Sequence, residues 1–83
     1  MTDNKIQKEI KKYIQINYSF DWGMKLLEEI GDKENSKKIH YLRQLYESKA
    51  FNLMKENNIN QIEADVTKNI KITLKIDQNF KNK

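Results

Sequence analysis

Cysteine and proline are absent from the chain, glycine occurs only at Gly23 and Gly31, and arginine only at Arg43. Without cysteine there is no thiol nucleophile, zinc knuckle, iron–sulfur ligand or disulfide staple, which suits a reducing compartment. Without proline, and with so little glycine, no linker divides the chain. The two glycines stand in unrelated settings, which excludes a glycine-rich phosphate loop. No apolar run approaches the roughly 18 residues a membrane span needs. The first ten residues have no apolar stretch of the kind a secretory leader carries. These absences lead us to expect a cytoplasmic protein with no membrane partner.

What is present fits one small domain, expected over residues 1–77 with a basic tail at 78–83. A chain of 83 residues, 37% of them hydrophobic, fills about one core layer. Oligomerisation or a partner is therefore expected to supply part of the stability. The net charge of +4 is carried almost wholly by lysine. Lys, Asn and Ile are favoured by AT-rich codons, and Arg, the better reader of phosphate and bases, is nearly missing. The charge therefore speaks weakly for nucleic acid.

Periodicity predicts an α+β fold. Ile6, Ile10, Tyr13 and Ile14 form a helical stripe over about 4–18, with Asn4 and Gln7 spaced like a capping box. The pattern loosens at residues 16–20, where β-branched and aromatic residues meet cap formers. A second helix over 21–30 is expected to start from Ser19 or Asp21 and to end at Gly31 in the left-handed conformation. Trp22, Leu26, Leu27 and Ile30 are its apolar face. A third helix, over 35–57 from a cap at Asn35 or Ser36, carries a stripe from Ile39 to Met54 and stops at Asn57 and Asn58.

From Ile62 to Ile76 the period changes to two, with every apolar residue on an even position. The parity fits an antiparallel hairpin (about 61–66 and 70–77) through a three-residue loop, Thr67, Lys68 and Asn69. Val66 then pairs with Ile70, Ala64 with Ile72 and Ile62 with Leu74, and Asn69 takes the left-handed position. A single long strand is the other arrangement with this parity. A two-stranded ribbon needs support, so its apolar face should lie on the helices, chiefly the third. Its edges stay open to other chains.

No constellation of an enzyme is present. His40 has Ser36 and Gln44 at i−4 and i+4 and no relay partner. Glu28 and Glu29 are adjacent and diverge by about 100° on a helix, and Glu28 with Asp32 reads as a solvated pair of acids. We therefore expect a non-enzymatic binding protein with no cofactor and no metal. Its aromatic run, Tyr18, Phe20 and Trp22, exceeds what a helix cap needs and suits a protein-interface hot spot. The solvent side of the last strand, Lys71, Thr73 and Lys75, is the companion surface. Composition favours a phage or mobile-element accessory that docks on a protein or nucleoprotein complex, for example to inhibit a nuclease-based defence system. The other reading is an oligomeric packaging or replication accessory, touching phosphate non-specifically through Lys33, Lys37, Lys38 and Arg43. A homodimer or higher oligomer is compatible with both.

Overall fold

The computed structural model describes residues 4–76. Two long helices, α1 (Asn4–Glu29) and α2 (Lys33–Glu56), form an antiparallel pair, and strands β1 (Gln61–Asp65) and β2 (Lys71–Lys75) follow. The class is α+β, with two helices where periodicity predicts three. The expected break at 16–20 does not occur, because the polar side chains there bond inside the helical layer. Ser19 Oγ donates to the Gln15 carbonyl (3.1 Å) and Asn17 Nδ2 to the Arg43 carbonyl on α2 (2.7 Å). Phe20 is held by the ring of Tyr46, 5.9 Å between centroids. Ser19 and Asp21 lie in the helix interior, and Asn4 is already helical, so none of the three caps a helix.

Both helices end in a Schellman motif, a left-handed residue whose flanking N–H groups bond back into the last turn. In α1 the residue is Gly31 (φ 81°), with Asp32 N–H on the Leu27 carbonyl (2.9 Å) and Gly31 N–H on that of Glu28 (3.1 Å). In α2 it is Asn58 (φ 57°), with Ile59 N–H on the Met54 carbonyl (2.9 Å) and Asn58 N–H on that of Lys55 (3.3 Å). Asp32 also caps α2, its carboxylate accepting from the Asn35 backbone N–H (3.2 Å). The helix therefore starts before Asn35 and Ser36, and Ser36 is buried in the helical layer instead.

The hairpin has the expected register, Ile62 opposite Leu74 and Ala64 opposite Ile72, with Val66 N–H on the Ile70 carbonyl (3.0 Å). Its loop is closed differently from expectation. Asn58 is the one non-glycine described residue with positive φ, so Asn69 is not left-handed. Thr67 Oγ1 accepts from the N–H groups of Asn69 (3.2 Å) and Ile70 (3.1 Å) and turns the chain in its place. Residue 77 and the tail at 78–83 lie outside the described residues.

The alternating face of the hairpin meets the helices at one end of the layer. Ile10 and Ile14 of α1, Ala50 and Met54 of α2, and Ile59, Ile62, Ala64 and Ile76 form the buried core. The hairpin was expected to lie chiefly on the last helix. β1 runs instead along α1, where Gln15 Nε2 donates to the Asp65 carbonyl (2.9 Å). Burial is one-sided: between residues 15 and 49 the only buried residue is Ser36. The radius of gyration, 14.4 Å, exceeds the roughly 12 Å of a compact domain of this length.

Candidate partner-binding surface

At about 100° per residue, a continuous helix divides the aromatic run. Tyr18 and Trp22, four residues apart, share a face, while Phe20 points to the other side. Phe20 and Tyr13 flank Tyr46 at 5.9 and 5.8 Å, and Lys49 Nζ lies 6.0 Å from the same ring. Tyr13 donates its hydroxyl to Glu9 Oε2 (2.9 Å), and this bond to a carboxylate raises its pKa above the ordinary tyrosine value. Phe20 is thus part of an internal aromatic cluster. Trp22 is 59% exposed.

Gln15, Trp22 and Leu26 lie within about 20° of one line along α1. The hairpin covers that line at Gln15 through Asp65. It stops there, and the same face continues uncovered through Trp22 and Leu26 (45% exposed). Ile70, at the hairpin tip, is also exposed. The two surfaces expected from sequence are therefore neighbours, with Tyr18 and Trp22 following on α1 where the ribbon ends.

Lys71, Thr73 and Lys75 occupy the solvent side of β2, opposite Asp65, Glu63 and Gln61. Lys71 Nζ stands 4.0 Å from both Glu63 and Asp65, so this side is of mixed charge. The sheet has two strands, and each keeps one edge without a strand neighbour among the described residues.

The four basic residues at the start of α2 are not gathered. Lys33 and Lys37 share one exposed side, and Lys38 lies about 100° from Lys37, within 3.9 Å of Glu34. Arg43 faces α1, half-buried, with its carbonyl taken by Asn17 and its Nε enclosed without a hydrogen-bond partner among the described residues. Two of the acids considered above have structural partners. Glu28 Oε2 accepts from Ser36 Oγ (3.4 Å). The Asp32 carboxyl is held below the ordinary aspartate range by the side-chain amide of Asn35 (2.8 Å) and then by its backbone N–H.

Sequence reasoning missed a second feature, an apolar groove of about 430 Å³. Phe20, Gly23, Leu26, Leu27 and Ile30 of α1 and the turn line it, with Ile39 from α2. Gly23 follows Ile14, which contacts the hairpin side, by nine residues, or about 180°. The groove thus opens away from the hairpin. The unbroken spacing 16, 20, 23, 27, 30 was the signal for it, obscured by dividing the helix at 16–20.

Set against protein-family models, curated proteins and solved structures, the chain has no match in any of the three.

Proposed function

We propose that this chain is a small non-enzymatic binding protein that docks on a partner protein or nucleoprotein complex through the α1 face bearing Tyr18 and Trp22. The observation that carries the reading is Trp22 itself, 59% exposed on the line where the hairpin's cover ends. A large rigid aromatic at the open end of a half-covered helical face is the type of residue that anchors interfaces. The outer edge of β2, which has no strand neighbour among the described residues, offers backbone hydrogen bonds to an added strand. A concrete form of this reading, favoured by composition, is a phage or mobile-element accessory that occupies a surface of a nuclease-based defence complex and inhibits it.

A photo-cross-linking residue at position 22, in cells that contain the partner, should trap one discrete heterologous adduct. The same group at Lys55, exposed in the last turn of α2 at the other end of the helical pair, should not. Equal adduct patterns from both positions, or none from position 22, would refute the docking face.

A further inference from the structure

The groove side of α1 is symmetric about Gly23. Ile16 and Ile30 stand seven residues to either side, Ser19 and Leu27 four, and Phe20 and Leu26 three. All six lie within about 60° of the direction of Gly23. That is the apolar spacing of a coiled-coil seam over two heptads; Ser19, Leu26 and Ile30 are exposed, and Ile16, Gly23, Leu27 and Phe20 (one edge of it against Tyr46) are half-buried. A methyl group at Gly23 would meet no atom within 4 Å, so the floor of the groove is open to close approach. We propose that a second copy of this chain covers the seam, its α1 antiparallel to the first about a two-fold axis at Gly23.

In that pairing residue 23+n meets residue 23−n of the other copy, as a two-fold contact requires. Ile16 meets Ile30, Phe20 meets Leu26, small Ser19 accepts Leu27, and glycine meets glycine at the crossing. Ile39 of α2 lines the same groove, and Leu42 and exposed Leu45 follow it along α2 at three-residue spacing.

Charge selects the antiparallel direction. Lys8 and Lys12 continue the seam toward the N-terminus, while the other end of α1 leads into the turn that carries Asp32 and Glu34. α1 has no acid in its first turn and no base in its last, the reverse of what the helix dipole favours. An antiparallel copy sets the acidic turn of each molecule over the lysines of the other and relieves both ends. A parallel copy would oppose lysine to lysine. Lys33, nine residues before Leu42, projects from the opposite side of α2 and does not enter the contact.

The area suffices for a modest dimer. The two-helix face from residue 16 to 30 is about 21 Å long and about 20 Å wide, roughly 400 Å² in projection per copy. With side-chain relief, both copies together reach the ~1,000 Å² at which specific interfaces begin. Leu26 belongs to both surfaces, but Trp22 lies outside the arc and stays at the rim, so the proposal does not depend on a partner docking at Trp22.

Because the chain has no cysteine, single-cysteine variants report the geometry directly. Under mild oxidation Gly23→Cys should cross-link to itself, and a mixture of Ser19→Cys with Leu27→Cys should give the mixed dimer. Ser19→Cys alone should give little. Sedimentation of the full-length protein should show a monomer–dimer equilibrium, with Leu26→Glu weakening it at least about tenfold. Leu26 is exposed, so that variant should keep its circular dichroism. A strict monomer at about 100 μM, or Ser19→Cys cross-linking to itself as readily as Gly23→Cys, would overturn the proposal. A heterologous adduct at position 22 from a strictly monomeric protein would leave the docking face standing and this inference refuted.

Discussion

Asp32 has two structural duties within one turn. Its backbone N–H closes the end of α1 on the Leu27 carbonyl, and its carboxylate opens α2 on Asn35. The second duty depends on ionisation. A carboxyl whose folded pKa is depressed adds stability that is present above its unfolded value and is lost as pH falls through the folded one. Asp32→Ala should therefore lower the thermal midpoint at neutral pH. The gap to the parent protein should narrow as pH drops below the ordinary aspartate range, which calorimetry across an acid series would measure. A gap that stays constant to the lowest pH would mean that the charge on Asp32 plays no part. The sequence pointed to Asp32 only as a solvated acid. Its capping role was hidden because α2 begins two residues earlier than Asn35, the nearer of the two caps expected from sequence.

At the scale of elements, the instructive error is the helix break at 16–20. Asn17 and Ser19 do favour caps in isolation, since their side chains compete for backbone groups. Here Arg43 and Gln15 supply carbonyls that satisfy them in a helical geometry. Arg43 is 26 residues away, a partner that no local window reveals. The two-residue period of the hairpin, by contrast, is a local property, and its register was legible down to each pair. Only the loop chemistry moved, from the conformation of Asn69 to the hydroxyl of Thr67. The two glycines make a matched test of the continuous α1. Gly23 is mid-helix with open space at its Cβ, whereas Gly31 is left-handed. In dilute solution Gly23→Ala should add about 0.5–1 kcal/mol of stability, and Gly31→Ala should remove about 1 kcal/mol. Urea unfolding would give both signs, and a destabilising Gly23→Ala would contradict an uninterrupted helix.

The whole molecule is lopsided. The hairpin closes a core around Ile10, Ile14, Ala50 and Met54, while the half nearer the interhelical turn has helices on one layer only. Local stability should follow this gradient. Amide exchange near Ile10 and Met54 should proceed by global unfolding. Amides of residues 22–28 and 37–43 should exchange several-fold faster in dilute protein, with the difference shrinking as concentration rises and the second copy binds. Uniform protection at all concentrations would contradict a one-sided core. The lopsidedness also explains what the sequence withheld about the candidate surface. Trp22, Leu26, Leu27 and Ile30 read as one apolar face, whereas Trp22 continues the line that the hairpin covers, Leu27 and Ile30 line the groove on the other side, and Leu26 stands between them. No pattern along the chain says that the hairpin ends at Gln15 and leaves Trp22 bare.

The hydrogen bond from Gln15 to the Asp65 carbonyl joins residues 50 apart, and it bears on how the chain reaches this arrangement. The helices meet across a three-residue turn and the strands across the five residues 66–70, so both halves can zip from their bends with little loop-closure cost. Only one long closure remains, the docking of β1 along α1. A chain with this nesting should fold on the order of milliseconds or faster, the helical pair forming first and the ribbon committing last. Gln15 would then be among the final residues to find its partner.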